Sequence, residues 1–260
     1  MKFSDDILDH IFSFLRSQKE TLVVCSKVLA LSRIVERHLF YHTIVQINRS
    51  DYVFEENNFS DLVSEKPHIL NYVRILEIQF VTKYLRHRSP SDFADKFPKT
   101  LLMFPLLECI MLKTPGQYLQ WYWSADFQAA LENRLNLPTM KEVHFMGTEH
   151  FPYSLFNHSK NIKHLSLSGS FPTEGEFYAS TLPQLESLTL STTSISSSFL
   201  AWLKLHSNEL RSLKCSLSFI ETMAELLGVC SGTLNKFHID VANSQCRLLA
   251  LSLHLSLLLY

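Results

Sequence analysis

Residues 161–171 read NIKHLSLSGSF, and residues 185–195 read LESLTLSTTSI. The two stretches share little identity but one spacing: apolar, two residues, apolar, one residue, apolar. Ile162, Leu165 and Leu167 fill it first, then Leu185, Leu188 and Leu190. The end of each stretch alternates with the two-residue period of a strand, which sends one set of side chains to a core and the other to solvent. Only the inward set has to be apolar, so the pattern persists where identity does not.

The spacing recurs at Val73/Leu76/Ile78, Leu107/Ile110/Leu112, Met140/Val143/Phe145, Leu210/Leu213/Cys215 and Leu234/Phe237/Ile239, giving seven copies. Between the middle apolar residues the steps are 34, 33, 22, 23, 25 and 24 residues. The last four fall within the roughly 20–29 residue period of leucine-rich repeats. Val45-Gln46-Ile47 reads as an earlier strand. Between strands, Phe199–Leu203 and Met223–Leu227 have the apolar spacing of short helices. One such unit cannot bury its own apolar face, whereas stacked units bury a continuous core. The expected fold is therefore α/β: an irregular repeat solenoid over 46–260, with parallel strands and helices. The alternative is an α/β domain whose strands are merely similar. The six glycines form no GxGxxG or GxxxxGK[ST], so neither version carries a phosphate-cradling loop.

At 260 residues and 46% hydrophobic content the chain can bury a sizeable core. A formal net charge of -1 gives no global pull toward nucleic acid or an acidic membrane surface. The local cluster Lys83, Arg86, His87 and Arg88 reads as a solvated loop. Five widely spaced cysteines without a CxxC fit a reducing compartment and imply no zinc site. The start, MKFSDDILDHIF, lacks the basic region of a signal peptide. The apolar tract Arg247–Tyr260 is too short to span a bilayer. These readings lead to an intracellular protein with no membrane partner. In that last tract Leu249, Leu251, Leu253, Leu255 and Leu257 alternate with Ala250, Ser252, His254 and Ser256, the pattern of an edge strand that needs a cap.

Over residues 1–45 the period changes to that of helices. Ile7, Leu8, Ile11, Phe12 and Leu15 form one stripe, with Ser4 placed as N-cap and Asp5 and Asp6 in the first turn. Ser17-Gln18-Lys19-Glu20 has the spacing of a capping box before Leu22, Val23, Cys25 and Val28. A third helix runs through Leu31, Ile34, Val35, His38 and Leu39. Three short helices can serve as a terminal cap, a helix-turn-helix reader or a protein-docking module.

FSDDILDHIFSFL (3–15), Cys25-Ser26 and Arg37-His38-Leu39-Phe40 resemble the F-box in its fungal form. PHILNYVRILEI (67–78), the Trp-containing insertion running to Pro138, and NIKHLSLSGSF resemble the F-box/leucine-rich-repeat proteins of mushroom-forming fungi. The family's Leu-Pro is Phe3-Ser4 here and its tryptophan in the third helical segment is absent, but the apolar stripe is kept. The resemblance implies a substrate-recognition subunit of a Skp-cullin-F-box ubiquitin ligase, cytoplasmic or nuclear. The adaptor, and through it a cullin, would dock on Phe3, Ser4, Ile7, Leu8, Ile11, Phe12, Leu15, Leu22, Val28 and Leu31. A target protein would dock on the repeat face.

Strand alternation puts Glu77, Met111, Glu142, His144, His164, Ser166, Ser187, Thr189, Ser212, Lys214, Lys236 and His238 on the outward face, which is concave in a leucine-rich repeat. Its centre is a ladder of small hydroxyls with charged residues toward the ends. Twelve histidines accompany no HExxH, HxH or GxSxG, so the chain is read as a non-enzyme without metal or cofactor. Two other classes stay open: an interaction scaffold without ubiquitin chemistry, and a nucleic-acid binder using the helices and the 83–88 cluster.

Overall fold

The computed structural model describes residues 4–28, 31–48, 63, 65–81, 98–114, 125–149, 153–156, 159–170, 184–192, 197–216 and 220–240. Phe3, the basic cluster at 83–88 and the leucine-alternating tract at 249–257 lie outside them. The chain is an α/β protein that divides into two compact units, Met1–Pro115 with Ser124–Met140 and Gly116–Trp123 with Lys141–Tyr260.

The first unit begins with helices α1 (Asp5–Phe14), α2 (Lys19–Ser26) and α3 (Ser32–Leu39). Ser4 caps α1, accepting from the Ile7 amide at 3.4 Å, and Asp5 and Asp6 occupy the first turn as the helix dipole favours. The expected capping box of α2 does not form. Gln18 stands at the N-cap and makes no side-chain cap bond. The turn leaving α1, closed by the Gln18 amide on the Leu15 carbonyl at 2.8 Å, takes up Ser17 one position too early. Phe12, Leu22, Ile34 and Val35 are the core of the three helices, with Leu8, Leu15, Cys25, Leu31 and Leu39 packed around them.

Three parallel strands follow, β1 (His42–Asn48), β2 (Ile75–Val81) and β3 (Cys109–Lys113). A 3-10 turn, Pro67–Asn71, precedes β2, and α4 (Ala125–Leu135) follows β3. The second unit holds β4 (Glu142–Glu149), β5 (His164–Ser170), β6 (Ser187–Thr192), β7 (Ser212–Ser216) and β8 (Lys236–Asp240), all parallel. Helix α5 (Ser197–His206) runs between β6 and β7, and α6 (Ile220–Cys230) between β7 and β8. Both inter-strand helices expected from the sequence are thus present.

Register turns the sequence spacing into rows. In the second unit Val143, Leu165, Leu188, Leu213 and Phe237 are consecutive partners, as are Phe145, Leu167, Leu190, Cys215 and Ile239. From Val143 to Leu213 and from Phe145 to Cys215 these residues are buried. Behind them Phe145, Phe156, Trp202 and Phe199 stack at centroid separations of 6.1, 5.9 and 5.4 Å. Each aromatic side chain here buries a large apolar area and adds a geometry-dependent term to it.

A second device repeats at the start of six strands, β2, β3 and β5 to β8. The carbonyl of the residue before one strand accepts two consecutive amides of the next unit. Tyr41 accepts from Arg74 and Ile75, and Arg74 accepts from Glu108 and Cys109. Lys141, Lys163, Glu186 and Arg211 do the same for the pairs 163/164, 186/187, 211/212 and 235/236. Thr139 and Thr233 add hydroxyl bonds to the carbonyls of Leu107 and Leu210, at 2.6 and 3.0 Å. Side chains cross-link the same places, through Arg74–Glu108 at 3.5 Å and Lys163–Glu186 at 2.5 Å.

In β4 the register shifts by one residue between Met146 and Thr148. Gly147 supplies the extra residue at φ 72, a conformation that side-chain-bearing residues rarely adopt, and its amide donates to Ser168 Oγ at 3.1 Å. Because the rows are close-packed, Leu188→Ala should lower unfolding stability by about 2–5 kcal/mol. Thr189→Ala, one residue away on the other face, should stay within about 0.5 kcal/mol. Urea denaturation of the two variants checks this.

Candidate functional site

Two surfaces carry the chemistry that strand alternation and helix periodicity leave outward. The first is on the helices. The stripe read from the sequence splits into two faces: Leu8, Phe12 and Leu15 turn toward the helical core, whereas Ile7 and Ile11 are 49% and 44% exposed. Phe14, three residues beyond Ile11 and on the same helical face, is 70% exposed. Phe14 is missing from the sequence reading although the spacing 7, 11, 14 would have found it. On α2 and just after it, Val23, Val24 and Val28 are also exposed. Leu22 is fully buried, so it supports this surface from beneath, as Phe12 does. Leu31 is half-buried against the core, and Ser4 is engaged in its cap.

The second surface is the outward face of the strands. In the second unit it forms two continuous rows, Glu142-His164-Ser187-Ser212-Lys236 and His144-Ser166-Thr189-Lys214-His238. Ten of the twelve residues chosen by alternation therefore stand in register. Lys236 and His238 are exposed and the other eight half-buried. Glu142 and His144 meet within their own strand, with His144 Nε2 2.8 Å from Glu142 Oε1.

In the first unit Glu77 and Met111 share a row with Ile44. Glu77 is not an open contact residue: it is 4% exposed. Lys113 Nζ lies 2.7 Å from its Oε1 and His42 Nε2 3.3 Å from its Oε2, and the Gln79 amide donates to it as well. Burial pushes the Glu77 carboxyl up, but the bonds from Lys113 and Gln79 and the charges of Lys113 and His42 outweigh that and hold it below its ordinary value. Alternation assigns a face to Glu77; only its neighbours from β1 and β3 cover it.

Beneath the helices runs a polar relay. Arg16 Nε donates to His38 Nδ1 at 3.0 Å, so Nδ1 is an acceptor and the ring proton sits on Nε2, which donates to Asp9 Oδ1 at 3.0 Å. Arg37 lies 3.2 Å from the same oxygen, and the Arg16 guanidinium lies over the Tyr41 ring at 4.0 Å. The His38 side chain is 2% exposed. Burial lowers its pKa more than Asp9 raises it, while Arg16 and Arg37 push the same way as burial. On the other side of α3, Glu36 takes Lys66 at 2.9 Å and His68 at 3.2 Å, tying the helices to the turn before β2.

Among the described residues Cys109, Cys215 and Cys230 are buried and Cys25 half-buried, and burial pushes the Cys215 thiol up to about 11. Burial raises the Cys230 thiol as well, so these two pack rather than react. No described helix is long and apolar enough to cross a membrane. No protein-family model matches the chain, and no curated protein matches it in sequence.

The pKa of His38 is depressed on folding, so its contribution to stability is complete above the ordinary value of 6.5 and is lost as the pH falls toward the lowered value. Glu36 and Glu77, also depressed, lose theirs only on falling below the ordinary carboxylate value of 4.5. Thermal melting scanned between about pH 7 and pH 5 should therefore show a destabilisation that His38→Gln flattens. The steeper loss below about pH 4 should remain in that variant.

Proposed function

We propose that the chain is the substrate-recognition subunit of a Skp-cullin-F-box type ubiquitin ligase, an F-box-like helical module followed by an irregular leucine-rich-repeat solenoid. The observation that carries the reading is the face Ile7-Ile11-Phe14. It is exposed on a helix whose opposite face already fills a core of its own, so its apolar side chains are left for a partner. The helices supply the adaptor contact, now centred on Ile7, Ile11, Phe14, Val24 and Val28, and Phe12, Leu22 and Leu31 hold them in place. The register rows of β4–β8 supply the contact to a target protein, with hydroxyls at the centre and charge at the ends. The mechanism is proximity: the subunit holds the target near a conjugating enzyme carried by other subunits, and no cofactor takes part.

Interface energy concentrates in a few central apolar anchors, each worth about 2 kcal/mol or more. Ile11→Asp with Phe14→Asp should therefore abolish co-purification with a Skp-type adaptor while circular dichroism stays unchanged, because neither residue is in the core. Wild-type protein that binds no such adaptor overturns the ligase reading and leaves an interaction scaffold. Replacing Ser166, Thr189 and Lys214 together by bulky residues should change the set of captured proteins, read by affinity capture and mass spectrometry, without loss of fold. An unaltered set removes the strand face as the target site.

A further inference from the structure

We propose that the cleft beside the polar relay binds a phosphate-type dianion. Asp9 of α1, Arg16 after it, Arg37 of α3, Tyr41 before β1, and Tyr72 and Arg74 before β2 line it, with His38 at its base. Its volume is about 220 Å³. That is below the roughly 300–1,000 Å³ of sites for drug-sized ligands, so the space suits a small group or the end of a larger one.

Among the described residues the charges at the cleft do not balance. Three guanidinium groups line it against two carboxylates, Asp9, which meets Arg37, and, from outside the lining, Glu108 at 3.5 Å from Arg74 Nε, which leaves one positive charge. The Arg74 side chain is only 26% exposed, so solvent screens it incompletely. Donors are also left over. Arg16 uses its Nε on His38 and Arg74 uses its NH1 on the carbonyls of Asn71 and Val73. Among the described residues neither terminal nitrogen of Arg16 nor the hydroxyls of Tyr41 and Tyr72 meet an acceptor. Asp9 Oδ1, the competing anion, is engaged by His38 and Arg37. All three cations are arginines, whose forked donors match the oxygens of phosphate two at a time, as lysines do not. The positions of Arg16 and Tyr41 are set before any ligand arrives, by the bond to His38 and by the stacked guanidinium, so binding needs little reordering.

The site shares no residue with the adaptor or target surfaces and stands or falls apart from the ligase reading. The test is calorimetric titration of the full chain with inorganic phosphate and, separately, with O-phosphoserine, at constant ionic strength set with chloride. Wild-type protein should bind at least one of them with a Kd below about 1 mM. Arg37→Gln with Arg74→Gln should weaken binding at least about tenfold, and Lys163→Gln, an exposed cation of the other unit, should leave it unchanged. Tyr72→Phe keeps the charge and ring, so it tests the site even if the double variant fails to fold; it should weaken binding several-fold. Preference for O-phosphoserine assigns a phosphorylated side chain as the ligand, and equal or stronger binding of inorganic phosphate assigns a free phosphate. No binding by wild type overturns the proposal, as does unchanged affinity in Tyr72→Phe or in a folded double variant.

Discussion

Each strand unit presents an apolar edge that only its neighbour can cover, and the pairing that covers it is fixed in register. Leu165 lies on Val143 and Leu188 on Leu165, and a slip of one residue would send the whole leucine row to solvent and the serines inward. The shared carbonyls at Lys141, Lys163, Glu186 and Arg211 reinforce this register, because each holds two amides of the next unit at the point where the strand begins. The outward rows are a consequence. Once the leucines are fixed, His144, Ser166, Thr189, Lys214 and His238 have no freedom but to line up.

The helical module solves a different problem with the same material. Three helices of ten residues or fewer cannot bury every apolar side chain they carry, and the structure resolves the excess by rotation. One face of α1 goes to Phe12 and the core, and the next goes to solvent as Ile7, Ile11 and Phe14. The relay from Arg16 through His38 to Asp9 ties α1 to α3, with a neutral imidazole that accepts on one side and donates on the other. Protonating that ring would remove the acceptor Arg16 needs, so mild acid acts on the helical packing before it reaches the carboxylates. Glu36 with Lys66 and His68, and Lys19 with the His42 carbonyl, fasten the helices to the turn before β2 and to β1 by polar contacts.

Much of this is legible in the chain itself. Spacing alone determined the strands that contain residues 76, 110, 143, 165, 188, 213 and 237 and the helices between the later ones, because a two-residue and a 3.6-residue period are local properties of the backbone. It determined the rows of the second unit too, since uniform spacing leaves a single register that buries every leucine. Tertiary structure decided the remainder. Glu77 obeys the outward alternation yet is covered by His42 and Lys113, partners 35 and 36 residues away that no local period announces. Ser17 has the spacing of a cap, but the turn out of α1 takes it first. The stripe of α1 is continuous in sequence, while its division between core and surface depends on where α2 and α3 lie. Arginines 16, 37 and 74 are scattered in the sequence and meet at one cleft only because α1, α3 and the start of β2 converge there. A charge cluster assembled from distant positions has no period, so the fold has to form before its chemistry exists.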